Sequence, residues 1–226
     1  EAESDAVARD IEALARMGGR LHVCHVSTAR SVELIRRAKA DGLPITAEAT
    51  PHHLVLTVDA VATSGADAKM NPPLAAAADR EAVRAALADG TIDCVATDHA
   101  PHADVEKQRG LADAPFGIVG LETAFALLYT QLVLGGALEI GTLVRRMSAD
   151  PARVMGLEEP RIRPGARADL AAFDTESEWT VDPDRFRSRS RSTPFAGWRL
   201  RGRSVYTVAG GRAAYDGLES HAGHPG

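Results

Sequence analysis

Cysteine is scarce in this chain, with two thiols in 226 residues, Cys24 and Cys94. Each sits inside an apolar, strand-like run, so both read as buried reduced thiols and not as a disulfide, which fits a cytoplasmic protein. Long hydrophobic runs are also missing. The longest, 124–134, is interrupted by Tyr129, Thr130 and Gln131, short of the roughly 18 to 20 apolar residues a bilayer span needs. The opening residues Glu1 to Asp5 are acidic where a signal peptide is basic and then apolar, which speaks against secretion. An excess of positive charge is absent: 31 acids against 26 bases leave a net charge of -5, with no bias toward nucleic acid or anionic membrane. The arginine-serine run at 185–192 is short and offset by Asp182 and Asp184, and reads as a solvated loop. No phosphate-binding glycine loop, Cys-x-x-Cys pair or Gly-x-Ser-x-Gly elbow occurs.

With 45% hydrophobic residues the chain can bury a core, and its length suits one large domain or one and a half small ones. Val7, Ile11 and Leu14 recur at helical spacing over 4–17, ended by Gly18-Gly19. A strand at 21–26, a helix at 29–40 capped by Ser27 or Thr28, and a strand at 44–49 follow. The stretch 57–73 has little periodicity and reads as a long irregular loop. A helix over 79–88 then leads into a third strand at 92–97. Residues 99–118 read as a polar loop, and helices are expected over 121–134, 142–147 and 151–155. From Arg163 the pattern becomes short β runs, 169–174, 205–209 and 212–215, with Gly210-Gly211 as a hairpin turn. The tail, with His221 and His224, reads as frayed.

Each of the first three strands delivers polar residues at its carboxyl end: His25, then His52 and His53, then Asp98, His99 and His102. Repeated βα units of this kind belong to a parallel α/β sheet or barrel, yet three strands in about 135 residues do not close an eight-stranded barrel. Imidazole and carboxylate converging from different strands suit zinc or a similar divalent ion. On an extended chain His52 and His53 point in opposite directions, so at most one faces a given site. His22 alternates away from the strand-end site and reads as packed.

Five ordered motifs then carry a resemblance: 24–28 (Cys-His-Val-Ser-Thr), 47–54 (Ala-Glu-Ala-Thr-Pro-His-His-Leu), 69–74 (Lys-Met-Asn-Pro-Pro-Leu), 96–102 (Ala-Thr-Asp-His-Ala-Pro-His) and 115–122 (Pro-Phe-Gly-Ile-Val-Gly-Leu-Glu). Together with 165–170 and 193–197 they resemble the bacterial dihydroorotases of the amidohydrolase superfamily. The resemblance implies a zinc-dependent hydrolase of cyclic amides that interconverts N-carbamoyl-L-aspartate and dihydroorotate in pyrimidine synthesis. It implies an α/β fold, the C-terminal part of a (β/α)8 barrel from about strand six to strand eight, followed by part of a small β-sandwich. The expected bounds are 1–160 for the partial barrel, 161–217 for the sandwich portion and 218–226 for the tail. His25 and Asp98 are implied metal ligands. Asp98 also shuttles the proton, and Asn71, His102 and the backbone of Phe116 and Gly117 hold the substrate. The resemblance carries no direct metal-contacting role onto His52 or His53.

The family's early His-x-His, its bridging carboxylate and its strand-five histidine have no counterpart here, and Ala75 stands where a basic residue is expected. The expectation is therefore a C-terminal half with an incomplete zinc site, inactive alone and prone to self-association. Two other readings remain beside it: an allantoinase or hydantoinase, against which the motifs at 69–73 and 115–120 speak, and a non-catalytic scaffold subunit partnering an aspartate transcarbamoylase.

Overall fold

The structure, a computed structural model, describes residues 1–217. The tail with His221 and His224 lies outside the described residues. The chain opens on α1 (Ala2–Met17), which buries Val7 and Leu14, two turns apart, and stops at Gly18 with φ 71. β1 (Leu21–Val23) leads to α2 (Ala29–Ala40). Thr28 caps α2 by accepting from the Ser31 amide, and Val32, Ile35 and Ala38 bury one stripe. β2 (Ile45–Ala49) buries Ile45, Ala47 and Ala49 under the helices and leaves Thr46 and Glu48 half-buried on its other face.

Next come α3 (Pro51–Val55), α4 (Ala60–Ser64) with a 3-10 turn at Gly65–Ala68, and α5 (Ala77–Asp89), closed by left-handed Gly90. β3 (Cys94–Val95) completes a parallel sheet in the order β1-β2-β3, with His22 opposite Thr46 and Glu48 opposite Cys94. Beyond it lie α6 (Asp104–Lys107), α7 (Gly110–Asp113), α8 (Ala124–Leu128) running into a π-helical turn at Tyr129–Val133, α9 (Ile140–Met147) and α10 (Ala149–Val154). The β-rich remainder holds β4 (Leu170–Asp174), β5 (Trp179–Thr180), β6 (Arg199–Leu200), β7 (Arg203–Ala209) and β8 (Arg212–Asp216). β4, β7 and β8 form one antiparallel sheet, and β5 pairs with β6.

The expected α/β pattern and its parallel strand order are present, with several corrections. The strands expected at 21–26 and 92–97 are cut to Leu21–Val23 and Cys94–Val95, because the backbone turns left-handed at His25 and at Asp98 and leaves the ladder. The irregular loop expected at 57–73 contains α4 and its 3-10 turn, single turns too brief to show a helical period. The 99–118 loop likewise contains α6 and α7. The continuous helix over 121–134 starts at Ala124 and loosens into the π turn. Cys94 is buried, but Cys24 is exposed, because it lies just past the end of β1, where the chain leaves the sheet.

Among the described residues no helix is long and apolar enough to cross a membrane. The core lies between that sheet and its helices, with Ile35, Val83, Leu87, Leu127 and Leu143 wholly buried. Truncating Ile35 to alanine removes a full side chain from this layer and should cost about 2–5 kcal/mol in urea unfolding. The same change at Met17, 85% exposed, should stay within about 0.5 kcal/mol.

Candidate active site

His25 ends the first strand segment and Asp98 the third, and both carry positive φ, 54 and 47. An L residue in that region is strained by about 1–3 kcal/mol, which persists only where the surroundings impose it. Here they do. Just past His25, the Glu3 carboxylate from α1 accepts from the amides and hydroxyls of Ser27 and Thr28, the Thr28 hydroxyl at 3.0 Å. Between them the Val26 amide donates to the Glu48 carbonyl at 2.9 Å. Just past Asp98, His99 Nδ1 accepts from the Gly120 amide at 3.1 Å, and the Ala100 amide donates to the Ile118 carbonyl at 2.9 Å.

The left-handed turn at His25 also brings its side chain back to the face that carries His22. His22 therefore does not point away from the site. Its Nε2 lies 3.2 Å from Glu48 Oε2 and its Nδ1 lies 2.8 Å from the Thr46 hydroxyl. The other Glu48 oxygen stands 2.9 Å from His25 Nδ1, a close contact outside hydrogen-bonding direction. Glu48 thus sits between two imidazoles. Its contact raises the His25 pKa against the opposing effect of burial, with Asp98 adding to the rise.

Asp98 receives two rings. His25 Nε2 is 3.6 Å from Oδ1, and His52 Nε2 is 3.8 Å from Oδ2. Both separations are too long for hydrogen bonds, and His52 Nε2 is buried with no partner. Burial raises the Asp98 carboxyl pKa, partly offset by His25, with Glu48 pushing it further up.

The expectation that 52 and 53 lie on an extended chain is wrong: they lie in α3, where Thr50 caps the helix and Pro51 takes its first turn. His53 turns to Thr50 Oγ1 and the Pro72 carbonyl, 2.8 and 2.9 Å. Burial lowers its pKa to about 4 and lowers that of His52 well below the usual value.

The 99–118 loop returns beside Asp98 through a parallel bridge between His99 and Ile118. It brings together three of the residues expected to hold substrate. His102 Nε2 lies 2.8 Å from the Phe116 carbonyl, and Gly117, at φ 115, leaves so little room that a Cβ would stand 2.5 Å from that of Ala100. The Gly117 amide donates to the Lys69 carbonyl at 2.9 Å, and Lys69 Nζ rides over the Phe116 ring. Buried Lys107 donates to the carbonyls of Pro115 and Gly117 at 3.1 and 2.9 Å. Asn71 is exposed on the Lys69 loop, and that loop is tied to the 99–118 loop through Lys69. A separate cavity of about 670 Å³, between Phe125, Phe173, Trp179 and Tyr215, is lined by none of these residues.

The amidohydrolase family model matches residues 3–214. The chain belongs to the amidohydrolase family. Within it, this amidohydrolase chain is 53% identical over 218 residues to the dihydroorotase of Anaeromyxobacter dehalogenans (strain 2CP-C), covering 96% of this chain and 50% of that protein. It is 48% identical over 213 residues to the dihydroorotase of Geobacillus sp. (strain WCH70), covering 94% and 50%. In structure it is similar to the L-hydantoinase (dihydropyrimidinase) from Arthrobacter aurescens, with TM-score 0.89 and 31% identity over 94% of this chain and 48% of that one. It is also similar to the D-hydantoinase from Thermus sp., with TM-score 0.87 and 28% identity over the same shares. The resemblance of the motifs to dihydroorotases therefore holds, and the chain spans about half the length of the curated relatives it matches.

Three contributors escaped the sequence reading. Glu48 had a signal, a carboxylate in an otherwise apolar strand. His52 had a signal as a strand-end histidine, but which of the pair turns to Asp98 depends on α3, and Lys107 had none, because its role comes from the loop's return. The His25 nitrogen and the Asp98 carboxylate fit a divalent metal, and beside them the buried His52 nitrogen has no partner.

The buried imidazoles carry a pH signature. A histidine whose pKa falls on folding contributes stability that is present above its unfolded value, about 6.5, and is lost as pH falls toward the folded value. For His53 the loss should reach about 3 kcal/mol by pH 4, and His52 adds in the same sense. His25, shifted upward, acts oppositely. Urea unfolding at steps from pH 7 to pH 4 should show a steep decline, and a flat profile contradicts neutral buried imidazoles.

Proposed function

We propose that this chain forms one wall of the active site of a dihydroorotase-type cyclic amide hydrolase, interconverting N-carbamoyl-L-aspartate and dihydroorotate. The convergence of His25 and the unpartnered His52 nitrogen on Asp98 carries this reading, supported by the likeness to dihydroorotases. In this reading the three parallel strands are about strands six to eight of a (β/α)8 barrel. Residues 1–160 form its partial barrel and 161–217 part of a small β-sandwich.

His25 and Asp98 would hold a divalent metal, which we read as zinc from the mixed imidazole and carboxylate donors. When bound, the ion polarises the amide carbonyl and acidifies water, so that a nucleophile is available near neutral pH. The rest falls to the chain. Asp98, with its raised carboxyl pKa, accepts a proton from the attacking water and delivers it to the departing ring nitrogen. Ring closure runs through the same carboxyl in reverse. Glu48 stands 2.9 Å from His25 Nδ1, and its charge favours the ring from the side away from Asp98.

Asn71 and His102 face the substrate carboxylate. His102 donates its Nε2 hydrogen to the Phe116 carbonyl, so it can offer a second donor at Nδ1 only as the imidazolium. The backbone of Phe116 and Gly117, held by Lys107, completes the substrate loop.

The likeness in structure to hydantoinases supports a second reading, hydrolysis of hydantoins or dihydropyrimidines. A substrate panel on the completed enzyme separates the two, with dihydroorotate preferred under the first. The catalytic zinc sites of enzymes commonly use three protein ligands plus an open position, so the 226-residue chain should be inactive alone. Co-expression with the N-terminal half of the Anaeromyxobacter dehalogenans dihydroorotase should restore carbamoyl-aspartate cyclisation. Asp98→Asn in that complex should lower kcat/KM by about 10²–10⁴-fold. Robust turnover by the chain alone, or by the Asp98→Asn complex, contradicts this account.

With β1 and β3 as open sheet edges, the isolated chain should also self-associate. Light scattering should report species larger than a monomer, and a clean monomer at high concentration opposes that expectation.

A further inference from the structure

One level below the strand-end pair, three ligand-type side chains from the parallel sheet meet, two of them half-buried and one buried. His22 comes from β1, Glu48 from β2 and Cys94 from β3, and one ligand atom of each lies within 4.8 Å of the others. The set includes neither His25 nor Asp98. One outer partner is already in place: Thr46 Oγ1 holds His22 Nδ1 at 2.8 Å and leaves Nε2 facing the group. Metal-binding imidazoles are oriented in this way by a partner on the other ring nitrogen.

We propose that His22, Glu48 and Cys94 form a second cation site, distinct from the His25–Asp98 pair, for a borderline-to-soft divalent ion such as zinc or cadmium. Metal–ligand bonds of about 2.0–2.3 Å place such ligands somewhat closer together than they stand here, so small side-chain rotations close the site. Sulfur, imidazole and a single carboxylate select against magnesium and calcium, which require mostly oxygen. On binding, the Cys94 S–H bond breaks, its proton leaves to water, and the sulfur bonds the ion. Three protein ligands leave a fourth position for water. Glu48 links the two sites, because one of its oxygens faces His25 and the other faces His22.

Cadmium titration of the purified 226-residue chain tests this, read by thiolate-to-cadmium charge-transfer absorption. The band should saturate at one equivalent and vanish in Cys94→Ser. His22→Asn, at a half-exposed position, should raise the cadmium Kd by about 10–100-fold or more, and it decides the matter if Cys94→Ser does not fold. Cys24→Ser should keep the band. The double variant His25→Asn with Asp98→Asn should keep it too, so failure of the proposed catalytic site leaves this result standing. No band in the wild-type chain, a band that survives Cys94→Ser, an unchanged Kd in His22→Asn, or loss of the band in Cys24→Ser or in the double variant would overturn the proposal.

Discussion

The site depends on two left-handed turns, at His25 and Asp98. Neither residue is glycine, and each would relax out of that region if released. The remainder of the architecture acts on them. Glu3 reaches from α1 to fasten Ser27 and Thr28, the bond from the Val26 amide to the Glu48 carbonyl ties the chain beyond the strand's end, and the returning 99–118 loop pins His99 and Ala100. Without the turn at His25, strand alternation would send its ring to the opposite face from His22. With it, both imidazoles share Glu48 and one of them also meets Asp98.

Much of this was legible from the chain alone. The parallel βα grammar, the strand-end placement of His25 and Asp98, the capping threonine at 28 and the Gly210-Gly211 hairpin all follow from local periodicity and turn chemistry. What was not legible has a common cause: residue parity inferred from ideal strands and extended chains. His22 was assigned to the wrong side because a positive φ three residues later cannot be read from histidine's identity. Simple alternation reads the pair at 52 and 53 as extended, although Thr50-Pro51 is itself a helix-start signal. Cys24 was expected to be buried from its apolar neighbours, whereas it lies just past the end of β1, where the chain leaves the sheet.

The half-buried polar face of the sheet connects the fold to the proposed function. It presents His22, Thr46 and Glu48, with His25 turned back onto it. The chain spans about half the length of its dihydroorotase relatives, and the proposed site draws on these polar groups. The buried, unpartnered His52 nitrogen points the same way, since an unmet polar atom in a packed interior costs about 1–3 kcal/mol unless something binds it.

Anomalous diffraction at the zinc edge, from crystals of this chain completed by the N-terminal half of a dihydroorotase relative, tests the central claim most directly. The account predicts a zinc peak about 2 Å from both His25 Nε2 and an Asp98 oxygen. Zinc bound elsewhere in the active site, with His25 and Asp98 both outside coordination distance, would contradict it.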